Sequence, residues 1–200
     1  MKTRIAVLVS GGGTNLQALI DAQSRGEIPH GEIVLVVSNN EGAYALERAR
    51  RAGIETAVCL RGKGEPRAAF EAKILAALEA RGVQMLILAG FMAILSADFV
   101  ARYPDRIINV HPSLIPSFCG EGFYGLRVHE AALRKGVKVT GATVHFVNEI
   151  PDGGEIIMQK AVRVLPGDTP EKLQKRVMRQ AEWKLLPAAV EMLCSRMKEA

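Results

Sequence analysis

Five strand-length runs of aliphatic and β-branched residues set the tightest limit on how this 200-residue chain can fold. They are RIAVLVS (4–10), EIVLVVSNN (32–40), TAVCL (56–60), VQMLILAG (83–90) and RIINV (106–110). A strand with one wet face alternates apolar with polar residues, whereas a strand covered on both faces reads as nearly continuous Val, Ile and Leu. Helix-like segments separate these runs. Residues 14–26 carry Leu16, Leu19 and Ile20 on one side, 43–52 stop at Gly53, 66–82 have a proline near the start and a glycine at the end, and 96–103 open on a Ser cap. The alternation predicts an α/β fold, a doubly wound and mostly parallel sheet flanked by helices.

The last third departs from that rhythm. After a helix near 126–136, VTGATVHFV (139–147) and EIIMQKAVRV (155–164) follow each other around the loop NEIPDGG, which predicts an antiparallel extension of the sheet. A final helical region begins at Asp168-Thr169-Pro170-Glu171 and contains Pro187, where a kink is expected. Without repeats, low-complexity segments or a linker, residues 1–200 are expected to form a single domain.

Composition narrows the function classes. The apolar run MLILAGFMAIL (85–95) is too short to span a bilayer, so no membrane partner is expected. The basic N-terminus and its short apolar run lead straight into glycines, as a first strand does and a signal peptide does not. Cys59, Cys119 and Cys194 are widely spaced and suggest neither a disulfide framework nor a metal knuckle, which points to the cytoplasm. The net charge is +5, but the basic residues sit among glutamates in helical segments, so no nucleic-acid partner is expected. A mild positive bias favours small anionic substrates instead.

Three constellations can carry chemistry. SGGGTN (10–15) joins the first strand to the first helix; its glycines let a backbone approach a ligand, and the helix start supplies N–H donors for an anion. It lacks the Lys-Ser/Thr pair of a Walker loop and fails the dinucleotide fingerprint at Leu16, so a phosphate monoester fits better, with a plain tight turn as the alternative. In IINVHPSLIPSF (107–118), Asn109 and His111 stand two apart at the end of a buried strand and so share a face, before an exit stiffened by Pro112 and Pro116. An amide can stabilise an oxyanion there and an imidazole can donate or shuttle a proton. Asp152, ahead of Gly153 and Gly154, is either a turn former or the carboxylate that reaches His111 and holds it charged. No zinc-type spacing joins His111, His145 and Asp152, Ser113 sits in no nucleophile elbow, and Cys119 in SFCGEGFYG reads better as part of a mobile glycine-rich loop than as a thiol nucleophile.

Taken in order, SGGGTNLQALID, LAGFMAILS (88–96), INVHPSLIPSF and HFVNEIPDGGEII (145–157) resemble the glycinamide ribonucleotide formyltransferases of the folate-dependent formyltransferase superfamily. The resemblance runs from about residue 4 to about residue 190. It implies a Rossmann-like formyltransferase fold and transfer of the formyl group of 10-formyltetrahydrofolate to the amine of 5-phosphoribosylglycinamide, without a metal. It implies that Asn109 and protonated His111 stabilise the oxyanion while Asp152 supports His111 and proton transfer. Gly12, Gly13, Thr14 and Asn15 would hold the substrate phosphate, and Glu182 would contact the ribonucleotide. Met92, Ala93, Ile94, Leu95, Asn109 and Asn148 would line the folate pocket, with Arg67 near the folate. On this division the phosphate-binding part covers about 1–100, the folate and catalytic part about 85–165, and a helical region about 169–198. A monomer or a homodimer fits equally.

The chain departs from the family pattern at three places. Residue 93 is Ala where a basic residue is common, the stretch between Pro116 and His129 is longer than usual, and RQAEWK carries one extra residue ahead of Glu182. Other folate-dependent formyl enzymes, and a non-catalytic module that binds a phosphorylated metabolite, are the competing readings.

Overall fold

The computed structural model describes residues 1–199. Its strands are β1 (Thr3–Val9), β2 (Gly31–Ser38), β3 (Glu55–Val58), β4 (Met85–Leu88), β5 (Ile107–His111), β6 (Val139–Phe146) and β7 (Ile156–Arg163). They form one seven-stranded sheet in the order β3-β2-β1-β4-β5-β6-β7. Pairing is parallel from β3 through β5 and antiparallel for β5 with β6 and β6 with β7, as the sequence predicts. The chain works outward from β1 to β3 and then returns to β4 on the other side of β1. That reversal opens a crevice beyond the carboxyl ends of β1 and β4, where open α/β sheets bind ligands.

The helices are α1 (Thr14–Ser24), α2 (Tyr44–Arg51), α3 (Arg67–Glu79), α4 (Ala97–Ala101), α5 (Leu126–Lys135), α6 (Pro170–Val177) and α7 (Trp183–Glu199). Strand periodicity distributes them. Ile5, Val7 and Val9 of β1 point to one face and pack with Leu16 and Leu19 of α1, Leu46 of α2 and Leu186 and Val190 of α7. Ala6 and Leu8 point to the other face and meet Phe70, Ile74 and Leu78 of α3 and Phe99 of α4. A smaller cluster, with Ala132, Ala142, Val162, Leu173 and Val177, seats α5 and α6 on the antiparallel strands. Both faces of β1 are therefore sealed, which is why its sequence does not alternate. No described helix is long and apolar enough to cross a membrane.

Two local expectations change. The run 83–90 is a strand only to Leu88, because Gly90 takes φ 74° and turns its carbonyl to accept from the Ser10 N–H at 3.1 Å. The C-terminal region starts as expected, with Thr169 capping the Lys172 N–H and Pro170 in the first turn. Its irregularity falls earlier than Pro187, at a π-helical turn spanning Met178–Glu182. Helix α7 then continues through Pro187, whose missing donor lies close to a break in the regular ladder that the π turn has already made.

Candidate active site

The glycine loop hangs from β1 into the crevice. Gly13 is the residue before α1, in the left-handed region at φ 71°, and no side chain caps the first N–H groups of this 11-residue helix. A Cβ on Gly13 would lie 2.6 Å from the Ala45 Cβ, so Gly13 is glycine because α2 packs against it. Gly11 and Gly12 have open space where a side chain would stand. A bulky residue at position 13 therefore tests helix packing, and position 12 tests room for a ligand.

Gly11 to Asn15 border a cavity of about 300 Å³ whose opposite wall is Gln174, Met178 and Glu182. Asn15 donates its side-chain amide to Glu182 at 2.7 Å. Glu182 is only 4% exposed, and burial raises its pKa to about 7, against the Asn15 bond, which works downward. A π turn closes with one more residue than an α turn. The extra residue seen ahead of Glu182 in the sequence is thus absorbed between Met178 and Glu182, and Glu182 faces the loop.

Strand β5 brings Asn109 and His111 out on one face, and both border a second cavity of about 580 Å³ together with Asp152. Asp152 arrives from the turn between β6 and β7 in a left-handed conformation, φ 56°, which Asp tolerates better than most residues. The glycines after it permit close approach: a Cβ on Gly154 would lie 1.8 Å from the Phe146 carbonyl oxygen. The Asp152 carboxylate sits 3.3 Å from His111 Nδ1, accepts the Gly120 N–H at 2.9 Å and is 3.4 Å from the Asn109 amide nitrogen. His145, in register with Asn109 and beside an irregularity in the β6–β7 pairing, completes the group. Its Nδ1 lies 2.7 Å from the Phe146 carbonyl and its Nε2 lies 3.2 Å from the Asn109 amide nitrogen.

Burial sets the direction in which the His111 pKa moves. Its ring is 4% exposed, and desolvation lowers its pKa below the ordinary value; Asp152 and the Phe118 carbonyl, 2.8 Å from Nε2, pull upward without winning. Asp152 stands within reach of His111, as expected, and its pull on the ring is upward. The carboxylate also meets Gly120, Asn109 and His145, and desolvation outweighs its pull in setting the direction of the shift. Asp152 itself is also buried, which works upward, yet His145, His111 and the Gly120 N–H together bring its pKa below the usual carboxylate value.

A third cavity, about 120 Å³, opens from the second behind Asn109. Ala93, Ile94, Leu95 and Asn148 border it, as do Leu88 and Val147. Met92 borders the larger cavity instead. Met92, Ile94 and Ile150 are 54%, 55% and 58% exposed, so three large apolar side chains rim one cleft. Arg67 begins α3, is exposed, and borders none of the three cavities.

Several residues at the cleft escape sequence reasoning. His129 on α5 is fully buried, borders the glycine-loop cavity and has no hydrogen-bond partner at either ring nitrogen among the described residues. Burial pushes its pKa down to about 4, with the nearby His111 adding to the effect. Thr143 fixes the exit from β5: its hydroxyl donates to the Ser113 carbonyl at 2.7 Å and accepts from the Ile115 N–H at 3.1 Å and the Gln159 amide at 3.0 Å. The long segment after Pro116 folds over His111 and Asp152 through the Phe118 carbonyl and the Gly120 N–H. The periodicity of α5 marks His129 as buried; nothing in one sequence says which cavity it meets.

The formyl transferase family model matches residues 3–190. The trifunctional purine biosynthetic protein adenosine-3 of Gallus gallus is 46% identical over 194 residues, 97% of this chain and 19% of that protein. The phosphoribosylglycinamide formyltransferase of Haemophilus influenzae is 40% identical over 188 residues, 94% of this chain and 85% of that one. The chain thus spans less than a fifth of the first relative and most of the second. Among solved structures, glycinamide ribonucleotide transformylase 1 of Symbiobacterium toebii superposes with a TM-score of 0.90 at 42% identity, over 97% of this chain and 88% of that one. Fold and sequence agree with these relatives along nearly the whole of this chain, which belongs to the formyl transferase family.

Proposed function

We propose that the chain transfers the formyl group of 10-formyltetrahydrofolate to the amine of 5-phosphoribosylglycinamide in de novo purine synthesis. The observation that carries this reading is where Asn109, His111 and Asp152 meet. They stand between a glycine loop with uncapped helix N–H groups and an apolar-rimmed recess behind Asn109. A phosphorylated amine suits the first and a flat heterocycle the second.

In this reading the substrate phosphate lies on the backbone of Gly12, Gly13, Thr14 and Asn15, with Glu182 on its ribose side. The folate residues are Met92, Ala93, Ile94, Leu95, Asn109 and Asn148; the apolar walls and the amides at their edge fit a fused ring with polar edges. Bound there, the folate supplies the formyl carbon. Asn109 and His111 offer N–H donors to the oxygen on which negative charge develops. As the amine nitrogen bonds to the formyl carbon and the carbon–N10 bond breaks, Asp152 keeps the His111 ring in place and relays the proton that the amine loses to the departing N10. The Phe118 carbonyl lies 2.8 Å from His111 Nε2 and the Asp152 carboxylate 3.3 Å from Nδ1, so contacts at both ring nitrogens orient the imidazole. Arg67 has no such support and is retained only for a folate tail extending out of the cleft. The partners are two small molecules, the setting is the cytoplasm, and the whole chain acts as one domain.

Turnover tests this directly. Protein mixed with both substrates should produce tetrahydrofolate in proportion to formylated amine, and no amine-dependent change would sink the reading. His111→Ala and Asp152→Asn should each lower kcat by about 10²-fold or more while a folate analogue still binds. Turnover near the wild-type rate in either variant would remove that residue from the mechanism.

A further inference from the structure

We propose a second ligand site, separate from the catalytic cleft, in the groove between α1 and the start of α7, which binds a phosphorylated small molecule bearing a planar ring. The groove holds a cavity of about 370 Å³, within the range of small-molecule pockets. Arg25, Arg48, Arg179 and Lys184 line it, and Asp21 is the acidic residue among them. Asp21 already accepts from the Gln17 amide at 2.8 Å, and Arg25 is held by Glu27. Arg48 commits its Nε to the Gly12 carbonyl at 2.8 Å and one terminal nitrogen to Gln17 at 3.0 Å, which leaves its other terminal nitrogen.

Arg179 and Lys184 have neither a hydrogen-bond nor an ion-pair partner among the described residues, and both are exposed. Trp183, which also lines the cavity, has a buried indole N–H without an acceptor. The lining is therefore rich in uncommitted donors and poor in acceptors, the complement of phosphate oxygens. Trp183 and Ala18 supply an apolar wall on which a planar ring packs. The π turn separates the two sites. Met178 and Glu182, four residues apart, face the glycine-loop cavity, while Arg179 and Trp183, also four apart, face this one. Thr14 alone borders both.

Trp183 is the only tryptophan, so its fluorescence reports on this groove. The whole chain is titrated with ADP and, separately, with inorganic pyrophosphate, at ionic strength held constant with sodium chloride. A saturable change with ADP, and a weaker midpoint for pyrophosphate, are expected. The double variant Arg179→Ala/Lys184→Ala should raise the ADP midpoint by about tenfold or more. Its circular dichroism and Tm should match the wild type, because both side chains are exposed. No saturable change, or an unchanged midpoint in the folded double variant, would overturn the site. A midpoint that responds to Gly12→Val and not to the double variant would place the anion on the glycine loop and overturn it equally. Equal midpoints for ADP and pyrophosphate would overturn the role of the ring.

Discussion

At the scale of single residues, the cleft is governed by what burial does to four titratable groups. His111 sits below its ordinary pKa although Asp152 is 3.3 Å away, so removing that carboxylate should lower it further. Titration of the His111 ring followed by NMR should place its midpoint under the free-imidazole value, and lower still in Asp152→Asn; a rise in that variant would contradict the balance described. Glu182 and His129 share one cavity and have opposite linkages. Glu182, raised to about 7, keeps a proton in the folded state that the unfolded chain releases, so stability falls as pH rises between about 4.5 and 7. His129, lowered to about 4, refuses a proton that the unfolded chain accepts, so stability rises with pH between about 4 and 6.5. Each slope approaches about 1.4 kcal/mol per pH unit, and in the wild type they oppose each other. Glu182→Gln should therefore steepen the gain in stability with pH, and His129→Gln should flatten or reverse it. Denaturant melts between about pH 4.5 and 6.5 should separate the two variants by roughly 2–3 kcal/mol per pH unit, because His111 and Asp152 contribute alike to both. Parallel slopes would refute the assignment. The sequence made Asn109, His111 and Asp152 legible as a trio because strand alternation and a turn motif are local signals. The direction in which burial moves the His111 pKa was not legible, since it depends on how much water three distant segments exclude together.

At the scale of elements, two devices hold the site in shape. Thr143 on β6 holds the chain leaving β5 with two hydrogen bonds and takes a third from Gln159 on β7, a constraint on that exit beyond Pro112 and Pro116. Thr143→Val keeps the side-chain shape but strands the Ile115 N–H and the Ser113 carbonyl, which should cost about 1–3 kcal/mol and lower kcat as His111 loses its placement. An unchanged melting curve would mean that other groups satisfy that exit. The π turn is the second device. Deleting Gln180 should convert Met178–Glu182 to regular α-helix and return Glu182 to the same cavity, with Tm within about 2–4 °C of the wild type. Loss of folding would mean that the extra residue is needed for packing. Strand and helix positions were readable from periodicity because each buried face repeats within a few residues. The π turn was visible only as one residue too many, and its location needed α7 anchored against the sheet by Leu186 and Val190.

At the scale of the whole molecule, the sheet order turns sequence-distant motifs into neighbours. The glycine-loop cavity and the recess behind Asn109 have no lining residue in common, so on the proposed function a ribonucleotide and a folate analogue should bind together. Each at a hundredfold excess over its Kd should add about 2.7 kcal/mol, and the two increments in Tm should be roughly additive. Mutual cancellation would show that they compete for one site. What the sequence by itself determined is the class of fold, the parallel-then-antiparallel order of pairing, and the identity of the loops that meet at the cleft. Those properties are written in periods of two and 3.6 residues and in turn residues, each encoded within a single segment. Only the tertiary structure decided that Glu182 meets Asn15, that His129 faces the cavity without partners, that His111 is held below its ordinary pKa, and that Arg179 points away from the glycine loop into a groove of its own. Each of these depends on contacts between segments far apart in the chain and on the exclusion of water between them, and no local pattern encodes either.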